Sequence, residues 1–278
     1  MNYFYMIFKP DYVVKVAKYL NLEAWLYSFI YRGFKEISKK HGVHITTNNY
    51  GYYPTEIKGY GKYQLQMYEE YAHLLEQENV EHILEIGSGA GGGIMHMQSC
   101  LPDAHFTGLD RCKEAVQTCK YFLGEQQKTI KLYTNINDIL TDGKKFDAIV
   151  SVETGVSINP RILGAIHNLL NDKGVFICYD NTGVNKLNAR IESIEEHGFQ
   201  MEFFKDITVN VLNACEHDTP RRLEIVEKYL PGYLRPFRAE LLRYMCVKDS
   251  LRYINFSNGI KKSFLLKARK SNRAQAYG

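Results

Sequence analysis

The chain has 278 residues, 45% of them hydrophobic, enough to bury a real core in one domain with an appendage. A formal net charge of only +4 is too mild for the concentrated basic face of a nucleic-acid binder, so neither DNA nor RNA is expected as a partner. No stretch approaches the roughly 18 uninterrupted apolar residues of a membrane span.

Cys100, Cys112, Cys119, Cys178, Cys215 and Cys246 form no C-x-x-C pair, and no secretory leader is recognisable. Free thiols in a reducing cytoplasm are the expectation. Tyrosine, at 21 residues, is the compositional oddity, and its amphipathic ring suits half-buried surfaces or a pocket for an apolar substrate.

Residues 1–62 read as an aromatic, basic helical cap. Tyr12, Val16, Tyr19, Leu20, Trp25, Phe29, Ile30 and Phe34 give one broad apolar face, in two short helices broken near Asn21. Such a segment can form a lid over an apolar acceptor, a peripheral membrane anchor, a helix packed on the core or the contact of a homodimer. TTNNYGYYPTE at 46–56 is a loop, and YQLQMYEEYAHLLEQ at 63–77 resumes a helix that opens the main domain, 63–278.

From residue 82 the pattern changes to short apolar strands separated by helical segments. HILEIG, HFTGLD, IKLYTN, FDAIVSVE and GVFICYD recur at intervals of roughly 20–35 residues. This alternation predicts a doubly wound α/β fold, a mostly parallel sheet with helices on both faces. NARIESIEEHGF reads as a helix, followed by a helical insert over about 205–248. Within it, ITVNVLNACEHDTPRRLEIVEKYLP stops at Pro231 and a second helix covers about 235–248. GIKKSFLLKARK supplies a closing strand, and SNRAQAYG is a polar tail.

The residues with most chemical content lie in HILEIGSGAGGG. In such a sheet the ligand sits outside the carboxyl ends of the strands, at the point where strand order reverses. Gly87, Gly89 and Gly91 let the backbone approach a ligand, and the next helix presents free N–H groups. Gly87, Gly89 and Gly92 also satisfy a dinucleotide G-x-G-x-x-G, with Asp110 near the ribose-acid offset. Glu85 separates the readings. Like charges 4 Å apart repel by about 4 kcal/mol at an effective dielectric of 20, which disfavours a pyrophosphate beside it and favours a cationic ligand. A nicotinamide oxidoreductase is therefore the weaker alternative.

EIGSGAG, then GLD, NIND, FDAIVSVETG and LLNDKGVFICYDN, in that order over residues 80–185, resemble a Rossmann-like class I methyltransferase that uses S-adenosylmethionine, which carries a sulfonium and an ammonium. With YGYYPTE, MYEEYAHLL and RRLEIVEKYLP added, residues 45–270 resemble the phthiotriolone and fatty-acid O-methyltransferase group. The resemblance implies that Glu85, Gly87, Ser88 and Gly89 line the amino-acid end of the cofactor, that Asp110 takes both ribose hydroxyls and that Arg111 flanks the adenine. It places Asn135 and Ile136 where an Asp and a small residue are usual, with Asp138 as a substitute. Ser151, Val152 and Glu153 then stand near the methyl group, and Tyr63, Gln64 and Tyr68 close over the cofactor.

A methyl on sulfonium is already activated, so the protein mainly positions the acceptor; a carboxylate or phenol needs little more, whereas an alcohol needs a base. Val156 and Ser157 occupy the stretch where many relatives carry a His. Glu153, Asp180, Tyr179 and His217 are the remaining candidates, Glu153 and His217 foremost. No metal is expected, because the sequence shows no H-x-x-x-H and no Cys/His cluster at ligand spacing. The expected activity is O-methylation of a hydrophobic small molecule or lipid; a relative that binds cofactor without turnover is the alternative.

Overall fold

A computed structural model describes residues 22–53, 58–230, 232, 235 and 238–271. The first of the two expected N-terminal helices, residues 1–21, lies outside them. Two helices come first: α1, Leu22–His41, and α2, Lys62–Leu75. The α/β core then runs β1 (His82–Ile86), α3 (Gly92–Cys100), β2 (His105–Leu109), α4 (Lys113–Leu123), β3 (Lys131–Tyr133), α5 (Ile136–Thr141) and β4 (Phe146–Val152). It continues through α6 (Pro160–Leu169), β5 (Leu170–Gly183), α7 (Leu187–Glu196) and β6 (Phe199–Asp206). Helices α8 (Thr208–Tyr229), α9 (Arg238–Tyr244) and α10 (Leu251–Ser257) precede the last strand, β7 (Lys261–Lys270).

The seven strands lie in the order β3-β2-β1-β4-β5-β7-β6, with β7 antiparallel to both neighbours and the others of the core parallel. Two parts of the expected C-terminal region need correction. FQMEFFKD is strand β6, so the insert's first helix starts at Thr208, and the second, expected over about 235–248, is the shorter α9, with α10 a further helix beyond it.

Period-two alternation divides the core between the two faces of the sheet. Ala148, Val150 and Val152 of β4 join Val175, Ile177 and Tyr179 of β5 in one apolar cluster, with Met67 and Tyr71 of α2 and Val211 of α8. Ile149, Phe176 and Cys178 point the other way, onto Leu163 and Ile166 of α6 and Ile194 of α7. Helix α1 sits apart from both layers. Its Tyr31 packs on Ala90 and Ala115, and its Ser28 and Arg32 donate to Glu114 of α4 at 2.8 and 2.6 Å.

Tyr71 enters the sheet itself. Its hydroxyl donates to the Ser151 carbonyl and accepts the Tyr179 amide, both at 2.6 Å, so it is wedged into the β4–β5 ladder at its carboxyl end. Removing it strands a buried donor and a buried acceptor, each costing about 1–3 kcal/mol. Tyr71→Phe should lower the unfolding free energy by about 2–4 kcal/mol in a urea titration; a midpoint equal to wild type would mean that the two strands close directly on each other.

Candidate active site

The strand order reverses between β1 and β4, and the glycine loop leaves the sheet there. The amides of Gly87 and Ser88 both donate to the Leu109 carbonyl, at 2.7 and 3.1 Å, which hangs the loop on the end of β2. Gly89 has φ +54° and its amide donates to Asp110 Oδ2 at 2.9 Å; a Cβ there would come 2.8 Å from the Tyr31 hydroxyl. The other Asp110 oxygen accepts the Cys112 amide at 2.8 Å. Burial raises the pKa of this carboxyl, and the two amides pull against the rise. One acid therefore shapes the loop while keeping a lone pair on each oxygen for a ligand.

Glu85 lies beneath the loop. It is fully buried on the face of β1 that looks toward α2 and α3, and neither carboxyl oxygen makes a hydrogen bond of good geometry. Gly93 makes room for it, since a Cβ at that position would overlap the Tyr68 ring and lie 2.6 Å from Glu85 Oε1. Burial pushes the Glu85 pKa up to about 8; the Asp110 charge pushes the same way, and the Tyr68 hydroxyl and Ile94 amide oppose it.

Glu153, at the end of β4, holds a left-handed backbone at φ +53°, which a non-glycine residue adopts only where its surroundings enforce it. Its amide donates to the Tyr179 carbonyl at 2.8 Å, and its carboxylate accepts the Tyr179 hydroxyl at 2.6 Å and the Tyr50 amide at 3.3 Å. Burial pushes its pKa up to about 8 as well.

A cavity of about 1090 Å³ connects these features. Of the residues expected from sequence, Gly87, Ser88, Gly89, Asp110, Arg111, Asn135, Ile136, Gln64, Tyr68 and Glu153 stand in its wall. Glu85, Gly91 and Ser151 do not: Gly91 caps α3, and Ser151 is wholly buried with its hydroxyl on Thr154. The Asn135 side chain caps α5 by accepting the Asn137 amide, and Asp138 is exposed outside the cavity.

The expectation for His217 is corrected. It lies exposed on α8 and stacks on Tyr53, ring centroids 5.0 Å apart, outside the cavity wall. The neighbouring Asp218 and Arg222 point inward instead. Asp180 is taken up by Ser157 at 2.7 Å and Arg190 at 3.2 Å.

Several wall residues carry no local signal in the sequence. Tyr31 and Tyr50 arrive on α1 and the 42–53 loop, and Arg252 and Lys261 on α10 and β7. Arg252 donates to the Tyr50 hydroxyl and lies over that ring, and Lys261 Nζ reaches Asn181 at 3.3 Å. Neither cation forms an ion pair among the described residues. Burial and the nearby Arg252 and Arg190 charges hold the Lys261 pKa below its ordinary value.

A mostly parallel sheet reversing at β1/β4, a glycine turn over the reversal and an acid closing β2 make a Rossmann-like fold, the one that class I methyltransferase structures share. Residues 77–201 match the family described as a methyltransferase domain. It is 23% identical over 207 residues to the fatty-acid O-methyltransferase of Mycolicibacterium smegmatis, covering 67% of this chain and 71% of that protein. It is 22% identical over 160 residues to the phthiotriol/phenolphthiotriol dimycocerosates methyltransferase of Mycobacterium tuberculosis, covering 56% of this chain. The match spans 58% of that mycobacterial protein's length. Among solved structures, the O-methyltransferase from a trans-AT PKS multienzyme of Brevibacillus brevis, in complex with S-adenosyl-L-homocysteine, shares the fold. Its TM-score is 0.56 at 18% identity, covering 82% of this chain and 85% of that one.

Proposed function

We propose that this protein is an S-adenosylmethionine-dependent O-methyltransferase whose acceptor is an apolar molecule carrying an acidic head. The observation that carries the reading is the single cavity joining the glycine loop and Asp110 to Glu153, Arg252 and Lys261. In this reading Asp110 takes the ribose, the loop amides and Gln64 border the amino-acid end, and Glu85, buried behind it with a pKa of about 8, ionises when the cofactor's positive charge arrives. The cofactor supplies an activated methyl group; the chain supplies position.

The electrostatics favour a carboxylate over an alcohol. With a pKa of about 8, Glu153 is mostly protonated at neutral pH and is a weak base there. Arg252 and Lys261 leave positive charge facing the same space, which suits an acid. The fatty-acid O-methyltransferase named above supports this choice of acceptor class, whereas the phthiotriol relative is named for an alcohol. Among the described residues no helix is long and apolar enough to cross a membrane.

The test is turnover of methyl-labelled cofactor with long-chain acids and matched alcohols, in wild type and Glu153→Gln. We expect acid methylation to survive Glu153→Gln within about tenfold. Were Glu153 the base for an alcohol, the loss would be about 10²–10⁴-fold, and the wild-type rate would climb as pH rose through about 8, as the carboxyl ionised. No transfer to any acid by wild type would overturn the acceptor assignment.

A further inference from the structure

Away from the cavity, α2 and α3 pack against each other, and each carries two potential metal ligands four residues apart: Glu69 and His73 on α2, His96 and Cys100 on α3. A four-residue step sets both side chains of a pair on one helix face. His96 Nε2 lies 2.7 Å from Glu69 Oε2, and Cys100 Sγ lies 3.4 Å from that oxygen and 3.9 Å from His96 Nε2. His73 Nε2 stands 3.9 Å from the other Glu69 oxygen. The ligand atoms of Glu69, His96 and Cys100 all lie within 4.8 Å of one another, and all three residues are half-buried.

Zinc bonds of about 2.0–2.3 Å in a tetrahedron put ligand atoms about 3.3–3.8 Å apart. The observed separations straddle that range, so opening the His96–Glu69 hydrogen bond by about half an ångström would admit an ion without moving either helix. A thiol, imidazole and carboxylate set is one for zinc-type cations, since magnesium and calcium demand oxygen.

We propose that Glu69, His96 and Cys100 form a zinc site between α2 and α3, with His73 or water as the fourth ligand. Binding replaces the Cys100 and His96 contacts to Glu69 with metal bonds and releases the Cys100 proton. The site clamps the helix that presents Gln64 and Tyr68 to the cavity onto the helix that begins at the glycine loop. A metal there acts as a structural strut for the cofactor end and takes no part in the transfer.

Cobalt(II) titration of the reduced full chain reads the site directly, because a thiolate ligand gives a charge-transfer band in the near ultraviolet. The expected result is one cobalt per chain, displaced by zinc, with the band absent in Cys100→Ser. His96→Ala should weaken zinc at least about tenfold, since even outer-sphere partners of a metal contribute that much. Circular dichroism of both variants checks that they fold. No band in wild type, a band surviving in Cys100→Ser, or unchanged zinc affinity in a folded His96→Ala protein would overturn the site.

Discussion

Arg222→Met should lower the unfolding free energy by about 3–5 kcal/mol. The side chain is 2% exposed, and its guanidinium donates to Asp218 at 2.8 Å, to the Tyr50 carbonyl at 2.6 Å and to the carbonyls of Met245 and Cys246. Three segments distant in sequence, the 42–53 loop, α8 and the turn after α9, meet on one cation. Burial alone would raise the Asp218 carboxyl, but Arg221 and Arg222 outweigh it and hold the pKa below its ordinary value. Methionine fills the volume but leaves the Tyr50 carbonyl with only the weak Cys215 thiol donor at 3.6 Å and takes the guanidinium from the half-buried Met245 carbonyl. Arg221 still reaches Asp218 at 2.6 Å, so the loss comes mainly from those two acceptors. Urea unfolding measures it, and a loss under about 1 kcal/mol would show that water reaches the carbonyls. Because the Tyr50 ring and hydroxyl also hold Arg252 in the cavity wall, the variant should lose acid methylation at temperatures where it is still folded.

The second large effect is on ligand affinity. Asp110→Asn should weaken S-adenosylhomocysteine binding by about 10–100-fold, since each hydrogen bond to a charged group contributes about 1.5–3 kcal/mol and 1.4 kcal/mol is tenfold. Asparagine has a further disadvantage here. Its single carbonyl oxygen can satisfy either the Gly89 or the Cys112 amide, and its NH₂ must then face the other donor. The loop should loosen as the ribose contact weakens. Calorimetric titration decides, and wild-type affinity in the variant would remove Asp110 from the site.

The central half of this fold was legible because its signals are local. A strand, a glycine turn and an acid ending the next strand lie within 29 residues of one another, His82 to Asp110, and the loop contacts seen between Gly87, Gly89, Leu109 and Asp110 follow from that order. Strand β6 does carry a strand's alternation, Phe199, Met201 and Phe203 against Gln200 and Glu202, but it lasts only five residues and directly follows a helical pattern, so it is easily overlooked. His217 was misplaced for a geometric reason: on a helix each residue turns about 100°, so the inward pair Asp218 and Arg222 forces its neighbour outward. Glu85 could be read as an acid at the loop, but not as one sunk beneath it, because that depends on the ring of Tyr68 arriving from α2. Arg252 and Lys261 reach the cavity only through the fold of the last 30 residues.

The position of β7 bears on how the molecule comes into being. It is made after the other six strands, yet it lies inside the sheet, hydrogen-bonded to β5 on one side and β6 on the other. Until Lys261–Lys270 have left the ribosome, β5 and β6 of the nascent chain each present an unpaired edge, the kind of surface that chaperones cover and that drives self-association. The glycine loop can take shape early, on strands already synthesised, whereas the Lys261 side of the cavity waits for β7.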